Sequence, residues 1–138
     1  MATVKHVNWL NLMLGGGTTT LPDFNTDTIK GSLLDETDAL LTSADSTFDD
    51  VDAPTVVSTA TLAISSISGG VVTLTGALTF TSVTGDAADW LTVYKDTGTP
   101  STSPLTISWD SASTGLPVTP NGGNIVATWG SNILVTLA

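Results

Sequence analysis

The residues best equipped for chemistry are four acids in the stretch ADSTFDDVD: Asp45, Asp49, Asp50 and Asp52. Closely spaced carboxylates suit a hard cation such as Ca²⁺, which prefers oxygen ligands. The stretch lacks the invariant glycine and the closing glutamate of an EF-hand loop, and a solvated acidic loop accounts for the same pattern. We therefore expect no bound metal and no cofactor.

Nucleophilic and phosphate-binding chemistry finds little support in the residue types. His6 is the only histidine, so a multi-histidine metal site is excluded, and we expect no histidine-based triad. The serine and threonine hydroxyls have no general base other than His6 and three lysines. The glycine runs lack the lysine of a phosphate-binding loop. We interpret His6 as an ordinary surface or packing histidine and expect that the protein is not an enzyme.

The charge balance excludes several classes of partner. Thirteen acidic residues stand against Lys5, Lys30 and Lys95, which gives a formal net charge of -10. Nucleic acids and anionic membranes attract clusters of Lys and Arg, so we expect this chain to bind neither. The apolar part of the N-terminus is short and interrupted, and no apolar window reaches the roughly 20 residues of a membrane span. We expect cytosolic synthesis.

The composition and the residue pattern favour strands. Thr and Ser make up more than a quarter of the chain, only 12% of the residues are charged, and the mean hydropathy is +0.30. Apolar residues alternate with Thr and Ser in the ranges 55–65, 71–83, 90–96 and 104–110. About seven or eight short strands in roughly 110 residues predict an all-β fold, an antiparallel β-sandwich or a barrel-like domain.

The segments 90–96 and 104–110 predict a β-hairpin with a long, uncharged connector that contains Gly98, Pro100 and Pro104. Lys95 and Asp96 are adjacent, so on a strand they point to opposite faces and form no obvious pair with each other. The predicted inward side chains are Leu91, Val93, Leu105, Ile107 and Trp109, and the predicted outward ones are Thr106, Ser108 and Asp110.

The sequence predicts further strands, a helical turn and a second hairpin. A strand is predicted at 27–35, and Gly76 is predicted to bend or break the strand in 71–83. Ser46 or Asp45 is predicted to cap a helical turn through STFDDV. The segments 124–129 and 132–138 flank Gly130-Ser131 and predict a terminal hairpin.

The N-terminal stretch differs from the rest. Residues 1–20 predict an extended or short-helical arm with a Gly/Thr-rich joint, and residues 21–138 a single β-rich domain. The joint is expected to let the arm swing away from the domain. An aromatic anchor on such an arm suits a contact between subunits. The predicted partner-binding residues are Trp9, Leu10, Leu12 and Met13.

Four short motifs carry a family resemblance: DTIK at 27–30, FDDV at 48–51, YKDTG at 94–98 and SPL at 103–105. In this order they resemble a family of small virion proteins of tailed bacteriophages that are encoded near capsid genes. The resemblance covers about residues 27 to 138.

The resemblance implies a virion component without catalytic residues, and within that class we expect a capsid decoration or cement protein. Such a protein would bind the major capsid protein on the outer surface of the head, as a homotrimer, after assembly in the host cytoplasm. The arm at 3–14 and the edge strands would carry the contacts.

Two alternatives stay open from the sequence. A tail or fibre component could bind host glycans through exposed aromatics near the loops 84–90 or 115–123. A small glycan hydrolase could use Asp86 and Asp89, although thirteen acids make some pair inevitable. Trp90, Trp109 and Trp129 lie on predicted strands, where we expect core or edge packing.

Overall fold

Antiparallel strands in three sheets build an all-β sandwich, which confirms the predicted fold class. The structure is a computed structural model that describes residues 3–16, 20–35, 41–51, 56–109 and 116–136. Within these ranges the strands are β1 (Thr3–Lys5), β2 (Ile29–Leu34), β3 (Val56–Thr61), β4 (Ile64–Ser68), β5 (Val71–Leu74), β6 (Leu78–Phe80), β7 (Trp90–Lys95), β8 (Leu105–Trp109), β9 (Ile125–Ala127) and β10 (Ile133–Thr136). The helix α1 runs Val7–Met13, and 3₁₀ turns lie at Phe48–Asp50, Pro100–Thr102 and Gly130–Asn132.

One layer is a five-stranded sheet with the order β1-β8-β7-β2-β3. Its centre is the β7–β8 hairpin, so the pairing predicted for 90–96 and 104–110 is confirmed. The strand predicted at 27–35 is β2, which pairs with β7 from Ile29↔Lys95 to Leu34↔Trp90. The opposite layer contains the sheet β10-β5-β4 and the pair β6-β9.

The main core lies between the two layers. Every second residue of the central strands points into it, as the period of two requires. Gly31 lies in β2 at a point where the layers are especially close, because a Cβ built there would lie 2.6 Å from Leu78 Cδ2. The largest contributors from the strands are Ile29, Leu33, Leu74, Leu78, Phe80, Leu91, Val93, Ile107 and Trp109.

The opposite face of the five-stranded sheet is also covered, which corrects one prediction. Thr106 and Ser108 were expected to face outward, yet both are fully buried. The residues 41–51 and the N-terminal residues pack over this face, and Phe48 stacks on Tyr94 with ring centroids 4.0 Å apart. Asp110, the third residue predicted outward, lies outside the described residues.

Two local details differ from or sharpen the predictions. The 3₁₀ turn at Phe48–Asp50 begins after Thr47, and not after Ser46 or Asp45, because the Asp50 carboxylate accepts the Thr47 N–H at 3.0 Å. The range 71–83 contains two strands, with Gly76 between them.

The predicted terminal hairpin is wrong: β9 pairs with β6, and β10 pairs with β5. Ser131 and Asn132 both have positive φ, near 55°, and this turn sends the chain to a different sheet.

Two ion pairs cross the end of the β2–β7 pair. Lys30 Nζ lies 2.6 Å from Asp96 Oδ2, and Lys95 Nζ lies 2.9 Å from Asp27 Oδ2. The hydrogen bond from Lys30 and a second one from the Gly98 N–H lower the pKa of Asp96. Lys95 and Asp96 thus have different partners, which agrees with the expectation that they do not pair with each other.

Replacing Asp96 by Asn should lower the free energy of unfolding by less than about 1 kcal/mol, because the pair is partly solvated. The native pKa lies below the ordinary 3.8, so the stabilisation is present above pH 3.8 and declines as the pH falls below it. Urea unfolding at pH 7 and pH 3 would measure this. Asp86→Asn removes the same charge at an exposed loop position and is the matched control; an equal loss there would contradict the pairing argument.

Candidate functional site

The N-terminal segment, residues 3–16, docks on the sandwich of its own chain. β1 pairs with the edge of β8, and α1 follows directly. Trp9 is 1% exposed and belongs to the main core, where its ring lies 6.3 Å from that of Phe24. The expectation that Trp9 lies outside the β core, on an arm turned away from the domain, is therefore wrong for this conformation. Trp9 can reach a partner only if the segment detaches.

The other residues predicted to bind a partner have different surroundings. Leu10, Leu12 and Met13 are each partly exposed on α1. Met13 packs against the main core and also lines a groove on the surface. Leu14, which the prediction passed over, is 87% exposed. Met13 thus packs against the sandwich, whereas Leu10, Leu12 and Leu14 are partly or largely exposed.

The groove lies between α1, residues 21–24 and the three-stranded sheet, and its volume is about 400 Å³. Asp23 is its one charged lining residue among those described. Leu21 and Ile67 stand at its rim and are about half exposed. Sequence reasoning missed these two because they are distant in the chain and meet only through the fold. The remaining lining residues are Trp9, Met13, Pro22, Phe24, Gly70, Val72 and Val135.

A buried chain of polar side chains joins the N-terminal segment to the sheet. His6 Nδ1 lies 3.0 Å from the Asp45 carbonyl oxygen, and His6 Nε2 lies 2.9 Å from Ser108 Oγ. Ser108 Oγ lies 2.7 Å from Thr92 Oγ1. Because a carbonyl only accepts, neutral His6 must donate from Nδ1 and accept from the Ser108 hydroxyl at Nε2. Only the packing role of His6 was expected from the sequence.

The His6–Ser108 pair has the spacing of a nucleophile and its general base, but a substrate cannot reach it. Both side chains are 0% exposed, so no substrate carbonyl can approach Ser108 Oγ in this conformation. Burial lowers the pKa of His6, and the carbonyl of Asp45 together with the charges of Asp45 and Asp50 opposes that shift. The arrangement fits a structural clamp better than a catalytic site.

Two of the acids that could suit calcium, Asp45 and Asp50, accept hydrogen bonds from their own loop. Asp45 accepts the Thr42 N–H at 2.7 Å, and Asp50 accepts the Ser46 N–H at 2.8 Å. Among the residues that the structure describes, no group of three His, Asp or Glu side chains could hold a metal ion. Asp52, the fourth acid of the predicted cluster, lies outside those residues.

The aromatic residues considered for glycan binding are mostly interior. Trp90 and Trp109 are buried, and Trp129 is half-buried with its ring edge against Trp109 at 5.6 Å. None of the exposed large hydrophobic side chains in the described ranges is aromatic. The loops 84–90 and 116–123 therefore offer no exposed aromatic platform.

No protein-family model matches the chain, and no curated protein is significantly similar to it in sequence. In the described part of the chain, α1 is far shorter than a helix that could cross a bilayer.

Proposed function

We propose that this protein is a structural component of a tailed-bacteriophage virion, and specifically a capsid decoration or cement protein. It would bind the outer surface of the head, contact the major capsid protein and stabilise the shell. We propose a homotrimer at local threefold positions, assembled in the host cytoplasm. The family resemblance of the motifs suggests the class, and the surface of the fold suggests how the contact is made.

The observation that carries the proposal is the apolar surface at the end of α1. It consists of the groove with its rim residues Leu21 and Ile67, and of Met13 and Leu14 on the adjoining helix end. Contiguous exposed apolar surface on a soluble protein marks a contact site. A groove of this size can accept one or two apolar side chains of a neighbouring subunit.

The sandwich and the charge of the chain also suit a decoration protein. Two packed layers with buried faces on both sides of the central sheet make a rigid block. Asp23 is the one charged residue among the described lining residues of the groove, so a close contact there would bury little unpaired charge, which is costly. The net charge of -10 would then face solvent and keep finished particles apart.

We expect Met13→Gln combined with Ile67→Ser to weaken binding to phage heads by at least about tenfold, because both side chains line the groove. Heads of the phage that encodes the chain, stripped of this protein, would be mixed with purified variants and sedimented. The bound fraction against concentration gives the apparent Kd, and analytical ultracentrifugation of the free protein gives the oligomeric state.

Val126→Ser is the matched control, since Val126 is 54% exposed on β9 and does not line the groove. Normal binding of the groove variant, or an equal loss in the control, would contradict the assigned contact surface. Absence of binding by the unmodified protein would contradict the proposed function itself.

A further inference from the structure

His6 is the point where three separated parts of the chain meet. Its backbone N–H donates to the Thr106 carbonyl at 3.1 Å, and its ring joins Asp45 and Ser108. The next residue, Val7, donates its N–H to the Ser43 carbonyl at 2.9 Å. Besides the β1–β8 pairing and the burial of Trp9, the docked segment is thus held by one ring that contacts the 41–51 loop on one side and β8 on the other.

The hydrogen bonds around the neutral ring allow only one assignment of donors and acceptors. Thr92 donates to Ser108, Ser108 donates to His6 Nε2, and His6 Nδ1 donates to the Asp45 carbonyl. A protonated ring donates from both nitrogens, so Ser108 could no longer donate to it. Ser108 and Thr92 would have to reverse their hydroxyls inside a site without solvent contact, where an unmatched polar group is costly.

We propose that His6 is a pH-sensitive latch that keeps the N-terminal segment docked while the ring is neutral and releases the segment when the ring is protonated. Release would expose Trp9 and free the edge of β8, whose N–H and C=O groups could then pair with a strand of another chain. The latch is a property of the isolated chain and does not depend on the proposed function.

Each element that packs against His6 brings its own polar or charged groups. The 41–51 loop presents Asp45 and Asp50, which favour the charged ring. β7 and β8 present the hydroxyls of Thr92, Thr106 and Ser108 and no charge at this point. On the segment itself, Lys5 is exposed. Burial outweighs the two carboxylates and lowers the pKa of His6 below its ordinary 6.5.

The sign of the pH effect follows from this balance. Below pH 6.5 the opened segment binds a proton on His6 that the docked segment does not bind. Acid therefore favours opening, by up to about tenfold per pH unit, until the pH reaches the lowered pKa of the docked state. Above pH 6.5 the docking has its full strength.

Hydrogen exchange of the full chain, measured from pH 7.5 to pH 5 and corrected for the intrinsic rate, tests the latch. We expect amides of residues 6–10 to lose protection by up to about tenfold per pH unit below 6.5, while amides of β7 keep theirs. Equal loss of protection in β7 would mean that the whole domain opens, and would overturn the proposal. Unchanged protection at residues 6–10 would also overturn it.

Two variants identify the titrating group. His6→Gln retains the amino terminus and all carboxylates, so the loss of protection between pH 6.5 and pH 5 should disappear; its persistence would refute the role of His6. Asp45→Asn removes one of the two charges that favour the protonated ring. In that variant the loss of amide protection should extend to lower pH than in the parent chain. A pH profile identical to the parent's would count against the latch even if His6→Gln fails to fold.

Discussion

Replacing Trp9 by alanine should lower the free energy of unfolding by about 3–5 kcal/mol, the usual cost of removing a fully buried large aromatic side chain. Trp9 is 1% exposed, lies against Phe24 and belongs to the main core. This loss has two parts: the hydrophobic free energy gained by burying the indole, and the cost of the cavity that its removal leaves. Urea unfolding followed by far-ultraviolet circular dichroism would measure it.

Leu10→Ala is the control for Trp9→Ala, because it shortens a side chain of the same helix that is only partly buried. We expect it to cost clearly less. A cost below about 1 kcal/mol for Trp9→Ala would show that the segment is not part of the core. Removal of the whole N-terminal segment would open the core at Trp9, so point variants are the cleaner test of partner binding.

Gly31→Ala should lower the free energy of unfolding by about 1–3 kcal/mol through overpacking. The new Cβ would lie 2.6 Å from Leu78 Cδ2, 3.4 Å from Leu62 Cδ1 and 3.5 Å from Leu91 Cδ1. All three leucines are buried, so the ends of their side chains have little room to move. Thermal or urea unfolding would measure the loss.

Gly76→Ala is the matched control for Gly31→Ala, because nothing lies within 4 Å of a Cβ at position 76. We expect it to be neutral or slightly stabilising. Gly31→Ala should cost less in a Leu78→Ala background than in the parent chain, since the atom nearest to the new Cβ is then absent. Additive costs in this double-mutant cycle would contradict the close approach of the two layers.

The strands of the central sheet could be predicted because the alternation of apolar and polar residues, and the residue types that favour strands, are visible locally in the sequence. β2, β7 and β8 were expected for this reason, and so was the break at Gly76. The predicted terminal hairpin is wrong because Ser131 and Asn132 both adopt positive φ; asparagine tolerates this conformation better than most residues, but nothing in the sequence indicates it at the serine.

The candidate site was predictable only in part. The apolar residues of α1 were selected from their hydrophobicity, but no sequence pattern shows whether such a segment docks on its own domain or on another. Trp9 is buried because Phe24 and other side chains of the main core pack around it. Ser108 looked like a solvent-facing residue of an alternating strand, and it is interior because His6 and residues 41–51 cover that face. Leu21 and Ile67 join the groove only through the tertiary fold.

Cryo-electron microscopy of the intact virion tests most directly whether this chain decorates the capsid. We predict density for the β-sandwich on the outer surface of the head, at local threefold positions, with the groove between α1 and the three-stranded sheet turned toward the major capsid protein. Density for the sandwich on the tail or fibres, or on the head with this groove facing solvent, would contradict the proposal.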